Sequence, residues 1–194
     1  MAGIELAVSP GSLRGTSLMI FFTVGTERFA FDRLVQMADL VQGTLKEEEV
    51  FVQLGESRII PKQCAWSRFL SFDELVRKIK EARIVVAHAG VGILLLCARF
   101  GKVPISLPRE KRFREHVDDH QLELAKKMAH LGYLCLVKEA GEILPLIQSY
   151  DERIQPSSRA SFEEPTLART LSDYLTNNGF QETGSARSRE RTSG

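Results

Sequence analysis

The chain has 194 residues, 43% hydrophobic and 26% charged, enough for one domain with a proper core and too few for a second full domain. Lys and Arg number 26 against 25 Asp and Glu, so no global field marks the chain for nucleic acid or as a polybasic membrane arm. No apolar run approaches the ~20 residues of a membrane helix, and the start MAGIELAVSPGS lacks the basic and apolar regions of a signal peptide, so the expectation is a cytoplasmic protein whose membrane attachment, if any, is borrowed from a partner.

Residues 1–17 hold a Ser-Pro-Gly-Ser turn and no periodicity, and read as a loose leader. From Leu18 to Val24 the run LMIFFTV has the bulk of a strand buried on both faces, and Gly25-Thr26 follow at once. Phe31, Leu34, Val35, Ala38 and Val41 repeat at helical spacing and are expected to stop at Gly43. A short strand at Val50 to Leu54 is followed by a loop through Pro61 to Trp66. Ser71 and Glu74 then form a capping box ahead of a helix with Phe72, Leu75, Val76 and Ile79 on one stripe.

A strand from Arg83 to Ala87, the loop His88 to Gly92, and an apolar helix from Ile93 to Phe100 ending at Gly101 come next. Val103 to Leu107 reads as a strand closed by Pro108. After the charged loop Arg109 to Glu115, a helix carries Val117, Leu124, Ala125, Met128 and Leu131 to a stop at Gly132, and Leu134 to Val137 is the last strand. Short hydrophobic strands alternating with helices predict an α/β fold, a Rossmann-like parallel sheet covered by helices on both faces, over residues 18–150. Residues 151–180 read as a linker and an accessory helix starting at Pro165, and 181–194 as a disordered tail. Cys64, Cys97 and Cys135 are odd in number and far apart in apolar settings, which suits buried thiols rather than a disulfide framework or a metal site.

In an open parallel sheet, ligands bind beyond the carboxyl ends of the strands, and two glycine loops fall there. In the first, Thr23-Val24-Gly25-Thr26, a glycine lets backbone amides approach a phosphate and the hydroxyls can donate to one. In the second, His88-Ala89-Gly90-Val91-Gly92, an imidazole stands at a strand end and two glycines open a helix whose free amides favour an anion. A plain tight turn and a packed histidine would show the same spacing, which leaves both readings open.

The segment RIVVAHAGVGILLLCARFGKVPISLPR from Arg83 to Arg109, continued by EHVDDHQ from Glu115 to Gln121, resembles the C-terminal domain of family 28 glycosyltransferases, and MIFFTVGTERFAFDRLVQMAD from Met19 resembles that family's opening strand, loop and helix. In length and motif the chain is similar to the family's single-domain subunits, those of the eukaryotic dolichol-linked N-acetylglucosaminyltransferase and of bacterial exopolysaccharide transferases. The resemblance implies the C-terminal, donor-binding half of a GT-B enzyme. It implies a UDP-sugar donor with no further cofactor and no metal, inversion at the anomeric carbon, and a lipid-linked acceptor. It further implies a membrane-anchored partner subunit carrying the N-terminal half. Thr23, Gly25, Thr26, His88, Gly90 and Gly92 would hold the diphosphate, and Asp119, His120 and Gln121 would reach the donor sugar's hydroxyls.

Two positions depart from the pattern. Relatives place Ser or Thr where Ile93 stands and an acid for the ribose where Leu96 stands, so Glu115 or another acid would have to reach the ribose instead. Of the four histidines, His88 falls to the phosphate, His116 and His120 to the sugar side, and His130 to structure, so no residue presents itself as the general base. A partner would supply it. Arg109, Lys111, Arg112 and Arg114 around Phe113 make a cationic loop suited to lipid headgroups, to an acceptor pyrophosphate or simply to solvent. The apolar Ile93 and Leu96 also fit a second reading, a noncatalytic half-domain serving as a binding or regulatory subunit. A dinucleotide reductase is a poorer fit, because no G-x-G-x-x-G follows the first strand.

Overall fold

The computed structural model describes residues 18–117 and 120–154, together with Arg169 and Asp173. The leader and the tail lie outside the described residues, and of the helix expected after Pro165 only Arg169 and Asp173 are described, both helical. Six strands, β1 (Leu18–Thr23), β2 (Glu48–Gln53), β3 (Ala65–Ser67), β4 (Ile84–Ala87), β5 (Ile105–Ser106) and β6 (Cys135–Leu136), form one sheet in the order β3-β2-β1-β4-β5-β6. Every pairing is parallel. The chain runs outward from β1 to the β3 edge and then returns to lay β4 against β1, so the strand order reverses between these two, and a crevice opens beyond their carboxyl ends.

Both faces of the sheet are covered, and this is why the strands read as unbroken apolar runs. Ile20 and Phe22 of β1 pack with α1 (Asp32–Thr44) on one face, while Phe21 joins Ile79 of α2 (Phe72–Glu81) and Ile93 and Cys97 of α3 (Val91–Arg99) on the other. At full burial, Phe21 and Phe22 each contribute about 1.5–3 kcal/mol. The far side of α3 packs against Leu124, Ala125 and Met128 of α4 (His120–His130). Two short helices, α5 (Ile143–Gln148) and α6 (Tyr150–Arg153), close the first face with Ile143, Ile147 and Tyr150.

The capping box forms as expected, with the Ser71 hydroxyl accepting from the Glu74 amide and the Glu74 carboxylate accepting from the Ser71 amide. Gly101 and Gly132 follow their helices with φ of 62° and 81°, the left-handed stop that favours glycine. Gly43, in contrast, lies inside α1; a Cβ there would meet the Gln63 side-chain amide at 2.9 Å, so close packing rather than a turn explains it. β3 is a sixth strand within a segment whose sequence reads as loop, and Val117, expected in the helix, lies outside α4 and is 53% exposed. The loop between β2 and β3 is latched to α1: Asp32 accepts from the amides of Arg58 and Ile59, and Asp39 from those of Lys62 and Gln63.

Candidate functional site

Beyond the carboxyl ends of β1 and β4 lies a cavity of about 640 Å³. The reversal of strand order places its two glycine loops side by side: Gly25 and Thr26 follow β1, and His88 to Gly92 follow β4 and become the first turn of α3. The N-cap of α3 is Gly90 and no side chain caps the helix, so its first amides are left for a ligand at the cavity wall. Gln121 comes from the first turn of α4 and His116 from the segment before it. Both reach the same cavity, whose wall also takes in Glu27, Gln53 and Leu124 and the apolar run of Leu70, Phe72, Leu75, Ile93 and Leu96.

The glycines serve the imidazole as much as any ligand. A Cβ on Gly25 would lie 2.4 Å from His88 Cε1, and one on Gly90 would lie 2.3 Å from His88 Nε2. The ring therefore sits between two bare backbones. Gly25 also has φ of 79°, a second reason for glycine. His88 is 7% exposed, and its Nδ1 has no protein partner among the described residues. Burial, reinforced by the nearby Arg109 charge, lowers its pKa to about 4, so at neutral pH the ring is uncharged. Among the described residues no Lys or Arg lines the cavity, leaving helix amides and the uncharged His88 ring to meet an anion.

Thr23 is fully buried and takes no part in the cavity wall; its hydroxyl donates to the Gln53 side-chain oxygen and accepts from the Gly25 amide at 3.2 Å. It shapes the loop while Thr26, exposed, faces the cavity. Gln53 and Gly55 back the same turn, Gln53 donating to the Gly25 carbonyl at 3.3 Å and Gly55 leaving room for that carbonyl, which a Cβ would approach to 2.7 Å. Neither was singled out from sequence, although a glutamine closing the apolar run of β2 beside β1 was a readable signal.

Arg109 is corrected outright. It is fully buried rather than part of an exposed cationic loop, and donates to the carbonyls of Val24 at 2.6 Å, Phe29 at 2.9 Å and Glu115 at 3.2 Å while lying over the Phe31 ring. It thereby ties the Gly25 loop to the segment that leads to His116 and Gln121. Glu115 is corrected too. Its two carboxylate oxygens each accept from Arg33 at 2.8 Å, and with 4% of the residue exposed it is committed there rather than turned toward a ribose.

Gly25, Thr26, His88, Gly90, Gly92 and Gln121 are thus brought together at one cavity. A Cβ on Gly92 would meet nothing within 4 Å, so that glycine keeps open space rather than relieving a clash. His120 opens α4, and Asp119 lies outside the described residues. Ile93 and Leu96 line the cavity and also pack into the cluster between α2, α3 and the sheet.

The profile of the glycosyltransferase family 28 C-terminal domain matches residues 19–171. The chain belongs to this family. The human UDP-N-acetylglucosamine transferase subunit ALG13 is 30% identical over 125 residues, 59% of this chain and 10% of that protein, so the chain spans about a tenth of the length of the curated relatives it matches. Among solved structures, the glycotransferase of kitacinnamycin superposes with a TM-score of 0.57 at 13% identity, covering 90% of this chain and 44% of that one. The solution structure of ALG13 gives 0.52 at 18% identity, covering 82% and 97%. The fold is the Rossmann-like C-terminal half of a GT-B glycosyltransferase. No helix among the described residues is long and apolar enough to cross a membrane.

The state of His88 in this family 28 domain gives a pH prediction. Its folded pKa of about 4 lies below the usual value of 6.5, so the unfolded chain takes up the proton first. The stability associated with a neutral His88 is complete above pH 6.5 and is lost as pH falls toward 4, by up to about 3 kcal/mol. Urea midpoints measured across that window should fall with pH in the native chain and fall less in His88→Gln; equal slopes would refute the assignment.

Proposed function

We propose that this chain is the donor-binding half of an inverting glycosyltransferase that transfers a sugar from a UDP-sugar to a lipid-linked acceptor. The second half comes from a membrane-associated partner subunit, which completes the acceptor side and supplies the general base. The observation that carries this reading is the convergence of both glycine loops and Gln121 on one cavity at the strand-order reversal, in a chain of family 28. Coverage of 44% of a larger glycosyltransferase supports the half-molecule architecture, and the relatives' name, a subunit of a UDP-N-acetylglucosamine transferase, supports the donor class and makes UDP-N-acetylglucosamine the first donor to try.

The arrangement supports the following roles. The amides of Val91 to Ile93 and the Nε2 side of His88 hold the diphosphate; Thr26 adds a hydroxyl, and the Gln121 amide pairs with the sugar's hydroxyls. As the bond to the anomeric carbon breaks, the helix N-terminus stabilises the charge that develops on the departing UDP. The noncatalytic reading has one observation of its own, the apolar side chains of Ile93 and Leu96 on the cavity wall. Calorimetric titration with UDP separates the two. Binding by the chain, alone or with the subunit that copurifies with it, and its loss in Gly92→Asp, are expected; absence of binding in both states would refute the donor site.

A further inference from the structure

The cavity is divided chemically. Of its polar side chains, Thr26, Glu27, His116 and Gln121 belong to the loop after β1 and to the approach to α4, two segments that touch where the rings of Phe29 and His116 lie 6.1 Å apart, while Gln53 at the end of β2 is committed to the Thr23 hydroxyl and the Gly25 carbonyl. Leu70, Leu75, Ile93 and Leu96 belong instead to one apolar cluster between α2 and α3, with Phe72, 67% exposed, beside them at the cavity. Not one of these five side chains carries a hydrogen-bonding atom. The N-terminus of α3, with His88, stands at the junction.

A nucleoside diphosphate sugar anchored there by its diphosphate has two unlike arms. The hexose bears a polar substituent on nearly every carbon, and burying those groups against hydrocarbon without partners is unfavourable, so it belongs on the side of Gln121 and His116. The nucleoside arm has a flat base that can lie against Phe72 and the leucines, and its ribose then rests beside Ile93 and Leu96. That part of the wall, Leu70, Phe72, Leu75, Ile93 and Leu96, offers a 2′-hydroxyl no hydrogen-bonding side chain. Of the acids, Glu27 lies on the polar side with Thr26, and Glu115 is held by Arg33.

We infer that this cavity does not read the ribose 2′-hydroxyl and accepts 2′-deoxynucleoside diphosphate sugars as readily as ribonucleoside ones, with Leu96 and Ile93 setting that tolerance. The inference rests on the donor-site reading above. A ribose held by a carboxylate would discriminate by roughly tenfold or more. The test is calorimetric titration of the full chain, alone and with its copurifying subunit, using UDP and dUDP. Dissociation constants within about fivefold of each other are the expected result, and Leu96→Glu should then shift preference toward UDP by roughly tenfold. UDP binding more than about fivefold tighter than dUDP in the native chain overturns the inference while leaving the donor site standing. Failure of both nucleotides to bind overturns the donor site, and this inference with it. If Leu96→Glu does not fold, as judged by its circular dichroism, the native comparison decides alone.

Discussion

Replacing Arg109 with methionine is expected to destabilise the chain by about 3–5 kcal/mol and to abolish nucleotide binding in whatever fraction remains folded. The guanidinium is fully buried and supplies the backbone carbonyls of Val24, Phe29 and Glu115, and at 3.5 Å that of Ala30, with donors from a single group. Each carbonyl left dry and unpaired costs about 1–3 kcal/mol, and the losses overlap because the freed loop can partly reach water. Methionine keeps much of the volume over Phe31, so packing is not the main loss. Lysine retains the charge but cannot span three acceptors with a planar fork, and should recover less than half of the stability.

Because Arg109 also helps hold the His88 pKa down, its loss should raise that pKa, which imidazole resonances followed by NMR against pH would reveal. A purely structural arginine far from the site would leave them unmoved. An Arg109→Met chain within about 1 kcal/mol of native stability in urea, with His88 titrating unchanged, would refute the clamp.

Arg109 also shows where the sequence stopped being informative. Among Lys111, Arg112 and Arg114 it reads as one more solvated cation, yet its carbonyl partners at Val24 and Phe29 stand 85 and 80 positions away. Only the pairing of β1 with β4 and of β4 with β5 brings them together. The two glycine loops were legible because their signal is local: a buried strand, a glycine, and the opening of a helix. What spacing could not say is that Gly25 and Gly90 face the same ring, since that too depends on β1 pairing with β4. β3 was missed because three residues carry no periodicity, and Gly43 was misread because a glycine at the end of an apolar stripe looks the same whether it stops a helix or admits a neighbour. The apolar Ile93 and Leu96 were visible as departures, whereas their junction with Leu70 and Leu75 needed the packing of α2 on α3.

The pairing of His88 with its glycines predicts a change of sign. Gly90 has φ of −77° and ψ of 139°, ordinary values for alanine, so backbone strain plays no part in Gly90→Ala. In the native chain the new methyl would meet His88 Nε2 at 2.3 Å, and the expected cost is about 1–3 kcal/mol in urea unfolding. In a His88→Ala background the obstacle is gone, and alanine's smaller unfolded-state entropy should make the same substitution neutral or stabilising by about 0.4–1 kcal/mol. The coupling energy of the cycle should therefore reach about 1–3 kcal/mol. The ring has one escape in Gly90→Ala, outward into the cavity, because Gly25 blocks the other side. Any stability recovered by that escape fills the space where a diphosphate would bind, so UDP affinity should fall even if the midpoint hardly moves. Native stability together with native UDP affinity in Gly90→Ala would show that the imidazole is not confined between the loops, and the site would have to be rebuilt without it.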